Sequence, residues 1–222
     1  VLGSRGLGDV YKRQTLHALI KDTIKNHKRI IFNGNGYDDS WVKEAESRGL
    51  LNLKTTPDAL PYFKTEENIA LFERQKVLSK EEVESRYEIL MDEYEKQINI
   101  EALTMLDIAK KDILPAASKF SKELTDTIAN KKAIGIDLTY ELETAKKISE
   151  YLTEAYQAMM TLENDVKKLH EIDDFEKSAF YVRDFIIQDM AALRKPCDEL
   201  EVITSNRDWP FPTYGKLLFG IQ

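Results

Sequence analysis

Three histidines, one cysteine and four acidic pairs are the residues of this chain whose types could do chemistry. His17, His27 and His170 stand far apart. None has a second His, Cys or Glu at a spacing that sets two ligands on one helical face, as HExxH does. They read as surface or partly packed imidazoles. Cys197 follows Pro196 at a predicted helix end. A nucleophilic thiol needs a base or a cation beside it, and no such pattern flanks it, so it reads as a half-buried, inert thiol. A single cysteine also excludes an internal disulfide and any CxxC zinc site. The four pairs of identical acids are Asp38-Asp39, Glu66-Glu67, Glu81-Glu82 and Asp173-Asp174. Metal binding or acid–base work needs carboxylates converging in a cleft. Each pair instead opens a predicted helix, where negative charge complements the helix dipole, and capping accounts for all four.

Two glycine-bearing stretches invite a phosphate reading. Gly6-Leu7-Gly8 lacks the third glycine and the preceding strand of a dinucleotide loop. Asn33-Gly34-Asn35-Gly36-Tyr37 could form a backbone nest for an anion, but no Gly-Lys-Ser/Thr follows, and a tight turn is the better reading. Tyr87, Tyr94, Tyr140, Tyr151, Tyr156 and Tyr181 are spaced for stacking surfaces. The net charge of −7 argues against nucleic acid and anionic lipid, so these rings read as core-edge and interface residues.

The elements that would carry these residues are helical. Only 9 of 222 residues are Gly and 6 are Pro, and 42% are hydrophobic. That composition suits one good-sized domain or two small ones. No apolar run approaches the length of a membrane span and no apolar leader region is visible, so a cytoplasmic protein is expected. Residues 1–14 (VLGSRGLGDVYKRQ) lack periodicity and read as a foreign, disordered junction segment. From Thr15 to His27, Leu16, Leu19, Ile20 and Ile24 fall at helical spacing. Arg29 to Phe32 is β-rich and predicts a short strand ending in the Asn-Gly loop. Asp39 or Ser40 is positioned to cap a short helix ending before Gly49, and Thr56-Pro57 to open another.

Beyond Thr65 the pattern lengthens. Ser79-Lys80-Glu81-Glu82 is a capping box. Its helix carries the stripe Val83, Tyr87, Leu90, Tyr94, Ile98, Ala102, Met105, Ala109 and Ile113, then a kink or restart at Pro115, then Ala117, Phe120, Leu124 and Ile128. Asp137 is predicted to cap a second long helix, with a stripe from Leu138 through Leu142, Ile148, Ala155, Leu162 and Val166 to Leu169 at coiled-coil-like spacing. Asp173-Asp174 opens a third, with Phe175, Ala179, Val182, Ile186, Met190 and Leu193 inward, which Pro196 should end. The predicted fold is mainly α: an antiparallel bundle of long helices, with a short strand and loop segment and short helices toward the start of the chain. The tail from about 204 is rich in aromatics and proline and should dock on a surface. Trp41, Trp209, Phe211 and Tyr214 are the predicted interface anchors.

Several ordered segments carry a resemblance. They are Lys28 to Tyr37 (KRIIFNGNGY) with Trp41 and Glu44-Ala45, Arg48 to Leu53 (RGLLNL), and Thr56 to Pro61 (TPDALP). Ser85 to Leu90 (SRYEIL), Ile98 to Met105 (INIEALTM), Asp112 to Ala116 (DILPA) and Trp209 to Gly215 (WPFPTYG) complete the set. Together the chain resembles the C-terminal part of type III glutamine synthetases. The resemblance implies an enzyme that joins ammonia to glutamate with ATP through a γ-glutamyl phosphate, assisted by Mg ions. It implies catalytic motifs upstream of this region. No position here matches them, so no catalytic, cofactor-binding or metal residue carries over. It implies that residues 15–62 finish or bridge from the catalytic domain and that 63–222 form a helical C-terminal domain. The partners implied are the protein's own catalytic domain and other subunits of a stacked-ring homo-oligomer. The isolated chain is then expected to be inactive. The alternative is a free-standing helical-bundle interaction module.

Overall fold

In the computed structural model, which describes residues 2–220, the chain divides between Lys54 and Thr55 into two units. The break falls before residue 62 because the helix that follows Thr55 packs onto the long bundle helix beginning at Lys80.

The first unit holds α1 (Leu2–Asn26), a 3-10 turn (Lys28–Ile30) and α2 (Asp39–Ser47). Residues 2–14 are therefore helical where disorder was expected. No proline interrupts residues 1–26, and a helix nucleated after Thr15 extends backwards at one hydrogen bond per residue. The expected strand at Arg29 to Phe32 is absent too. The Ile30 and Ile31 amides donate to the His27 and Lys28 carbonyls, both at 3.1 Å, which are turn bonds. A strand must pair its amides with a neighbour, and among the described residues there is no strand. The cap of α2 is Asp38 rather than Asp39 or Ser40: its carboxylate accepts the Ser40 amide at 3.2 Å. Gly49 closes α2 at φ +74°, a left-handed conformation that glycine adopts without strain. Asn35 accepts the Tyr37 amide at 3.1 Å, so the Asn-Gly stretch is a side-chain-supported turn.

The second unit is the bundle. Two short helices lead in, α3 (Thr56–Phe63) and α4 (Glu66–Arg74). The first rod is α5 (Lys80–Ile108), a π turn (Ala109–Ile113) and α6 (Leu114–Ala133). Its start is the expected capping box, with the Ser79 amide on Glu82 at 2.7 Å and the Glu82 amide on Ser79 Oγ at 3.3 Å. The α-helix restarts at Leu114, with Pro115 in its first turn. The π turn directly before it widens the backbone where the proline ring would otherwise press on the preceding turn. The second rod is α7 (Thr139–Leu169), about 46 Å long at ~1.5 Å per residue. Leu138, rather than the expected Asp137, stands at its cap position. The third is α8 (Phe175–Tyr181), a π turn (Val182–Ile186) and α9 (Ile187–Ile203). Pro196 does not end it. The ring is buried inside α9, and its apolar contacts offset the lost hydrogen bond. A short α10 (Tyr214–Phe219) follows the tail.

Short loops force consecutive rods antiparallel, and α7 lies between α6 and α9. The main core joins Ala102 and Leu106 of α5, Leu124 of α6, Ile148, Ala155, Leu162 and Val166 of α7, and Leu193 and Leu200 of α9. A second, smaller cluster packs Tyr87 and Met91 of α5 on Ala179 of α8. Met91 takes the inward place predicted for Leu90, which is 41% exposed. Steps of three and four from Tyr87 are both helical, and packing on Ala179 selects Met91. Leu142 is also exposed, while Glu141 beside it is buried and ion-paired to Lys131.

Candidate functional site

The functional geometry of the bundle lies in polar clusters that tie helices together. Glu176, in the first turn of α8, accepts two hydrogen bonds on one oxygen: Lys64 Nζ and Tyr87 OH, each at 2.7 Å. The Lys64 ammonium also sits 3.7 Å from the centre of the Tyr87 ring, a cation–π contact. The Lys64 hydrogen bond, then that of Tyr87, hold the Glu176 carboxyl below its ordinary range. Burial, followed by the hydrogen bond to that carboxylate, pushes the Tyr87 phenol well up. These groups fasten the end of α3 to α5 and α8. Nearby, Arg183 pairs with Asp58 of α3 and with Asp184, and its guanidinium lies 4.7 Å from the centre of the Phe180 ring.

Between α7 and α9 two carboxyls meet. Asp165 accepts Lys168 Nζ at 2.5 Å and Tyr181 OH at 3.1 Å. The Lys168 bond lowers its pKa, against the effect of burial. Asp189 faces it from α9 with one carboxylate oxygen buried and without a hydrogen-bond partner. Burial first, then Asp165, push the Asp189 carboxyl up to about 6. Protonation of Asp189 removes one of two like charges.

The tail is pinned by Asp208, whose side chain is fully buried. It accepts Lys119 Nζ of α6 at 3.0 Å and pairs with Arg207 at 3.0 Å, and Arg207 also reaches Glu123. Trp209 is half-buried against the main core, and Phe211 meets it edge-on with ring centres 6.3 Å apart. The side chain of Tyr214 lies outside the described residues. Trp41 belongs to the first unit, stacked on Phe32 at 4.1 Å, with Arg48 5.5 Å from its ring centre. Arg48 also donates to the Ile31 carbonyl at 2.8 Å. Of the four predicted anchors, Trp209 and Phe211 are thus brought together and Trp41 sits in the other unit.

These groups tie helices to one another through ion pairs. Asp165, Glu176 and Asp208 already face ammonium or guanidinium groups. Cys197 is buried, and burial pushes its thiol up to about 11, so the nucleophilic thiolate is suppressed.

Comparison with known proteins identifies the fold's owner. Residues 15–132 match the family described as the glutamine synthetase C-terminal domain. The chain belongs to this family. A glutamine synthetase of Butyrivibrio fibrisolvens is 39% identical over 217 residues, which cover 97% of this chain and 31% of that protein. A type-3 glutamine synthetase of Dictyostelium discoideum is 34% identical over 221 residues, 95% of this chain and 30% of its own length. A glutamine synthetase of Bacteroides fragilis is 25% identical over 224 residues. The chain thus spans about a third of the length of these curated relatives, as a C-terminal region of a glutamine synthetase does. Mg, which the family implies along with ATP, is held by one or two carboxylates together with phosphates and water. Among the described residues no three His, Cys, Asp or Glu converge as metal ligands. The buried carboxylates Glu141, Asp165 and Asp208 each face a lysine. Among the described residues no helix is long and apolar enough to cross a membrane.

The interhelical clusters were not legible beforehand, because they join residues as far apart as Asp58 and Arg183 or Lys64 and Glu176. One signal was present: Asp165 and Glu141 fall inside apolar stripes, where an acid needs a partner.

Proposed function

We propose that this chain is the structural C-terminal part of a cytoplasmic enzyme that makes glutamine from glutamate and ammonia with ATP and Mg. Its role is to pack on the catalytic domain and on other subunits of a homo-oligomer. The observation that carries this reading is the state of the first unit. From residue 10 to residue 54 no side chain is buried. Leu16, Leu19, Ile20 and Ile24 of α1 are 45–62% exposed, and Tyr37 is fully exposed. An apolar stripe of this kind is stable in water only when other protein covers it. The relatives' remaining length supplies that protein. Trp41 and its Arg48 and Phe32 neighbours form the rigid aromatic corner on this unit, and Trp209 with Phe211 form one on the bundle.

The test is ATP-dependent glutamine formation by the full-length protein and by the 222-residue chain, each purified from a host lacking its own enzyme. The full-length protein turns over and the chain alone does not. Turnover by the chain alone overturns the structural role.

A further inference from the structure

The bundle carries an apolar groove and, on a different part of the same unit, an apolar plug. The groove runs between the end of α5, the π turn and the middle of α9, with a volume of about 380 Å³. That lies within the ~300–1,000 Å³ range of pockets that hold ligands. Ile100, Met105, Ile108, Ile113 and Leu193 line it, with Cys197 beside Leu193. The π turn Ala109–Ile113 contributes Ala109 and Ile113 to its wall, and Leu193 forms its buried floor. Its charged rim is Glu101, Arg194 and Asp198. Arg194 is neutralised by Asp198 at 3.2 Å, and Glu101 is left with only the neutral Gln97 amide at 3.1 Å, so the rim is net acidic.

The plug is α10. Leu217, Leu218 and Phe219 are consecutive and 63–83% exposed, and Lys216 directly before them is the one charged residue of that helix. Three adjacent large apolar side chains behind a single cation are the complement of an apolar groove with a net acidic rim.

We propose that α10 of one copy docks in the α5–α9 groove of a second copy, with Lys216 at Glu101 and the adjacent Leu217 and Leu218 over Met105 and Ile108. The contact deepens the subunit reading above and rests on it. It joins two different patches, so it is heterologous, and repeated around a closed ring it consumes every plug and every groove. The tail is built for this reach. Asp208 and Trp209 are fastened to the bundle, and two prolines, Pro210 and Pro212, stiffen the segment before α10.

The test uses the protein with Cys197 replaced by Ser. One batch carries Leu218→Cys and another Thr104→Cys, a groove position. Mixed under mild oxidation, they form a crosslinked pair of chains that neither batch forms alone. In parallel, the double substitution Leu217→Glu with Leu218→Glu weakens self-association at least tenfold by sedimentation equilibrium, while the helical circular dichroism stays unchanged. If the wild-type protein self-associates but no mixed crosslink appears and the Glu substitutions leave its mass unchanged, the docking is wrong and the subunit reading stands. If the crosslink forms only within a chain carrying both cysteines, α10 docks in cis and the proposal is overturned. A wild-type protein that is monomeric at every concentration overturns both.

Discussion

Lys64 and Glu176 lie 112 positions apart and are joined by a hydrogen-bonded ion pair of 2.7 Å. The same Glu176 oxygen holds the Tyr87 hydroxyl, so one carboxylate locks three helices that share no sequence neighbourhood. Removing it leaves a buried phenol and a cation without their acceptor. Glu176→Ala is expected to destabilise the bundle by about 1–2 kcal/mol, because both charge-assisted bonds are partly exposed rather than deeply buried. The hydrogen bonds lower the folded-state pKa of Glu176. Its contribution is therefore present above the unfolded-state pKa near 4.5 and is lost as pH falls through the folded-state value. Thermal melts of wild type and Glu176→Gln from pH 3 to 7 check this: the gap between them narrows toward acid.

Asp189 has the opposite sign. Its folded-state pKa stands at about 6 against an ordinary 3.8. Between those values the folded chain holds more protons than the unfolded chain, so stability falls as pH rises through that window. Asp189→Asn keeps a donor toward Asp165 and carries no charge. The variant is expected to melt higher than wild type at pH 7.5 and with a smaller advantage at pH 4.5. An advantage independent of pH shows that the two carboxyls do not interact.

Cys197 gives a probe of core opening. The thiol is buried on α9 beside Leu200 and is pushed up to about 11 by burial and by Asp198. Reaction with an aromatic disulfide reagent at pH 8 is expected to be at least a hundredfold slower in the folded chain than in denaturant. Rapid native labelling means that α9 opens locally.

The long rods were readable because burial imposes a step of three or four residues. Ala102, Ile148, Leu162, Val182 and Leu193 are inward as their spacing demands. Phase within a stripe was less secure: Met91, not Leu90, faces inward, since both steps from Tyr87 are helical and only packing against Ala179 decides between them. The π turns before Pro115 and after Tyr181 left no pattern, because one extra residue in a turn is a tertiary accommodation. Pro196 shows the same limit, with local steric cost outweighed by burial. The β-rich Arg29 to Phe32 run lacks a strand because propensity without a partner does not make a sheet. Which aromatic rings would meet was not legible. Trp209 and Phe211 meet across two positions, and Trp41 found Phe32 across a loop.

The proposed role requires that further protein cover the apolar face of the first unit. Amide hydrogen exchange across residues 15–54 measures this directly, compared between the 222-residue chain and the full-length protein. The α1 amides of Leu16 to Ile24 are expected to exchange at least a hundredfold more slowly in the full-length protein, with the bundle helix α7 unchanged. Equal exchange of α1 in both would show that its apolar face stays uncovered, and would contradict the role proposed for this region.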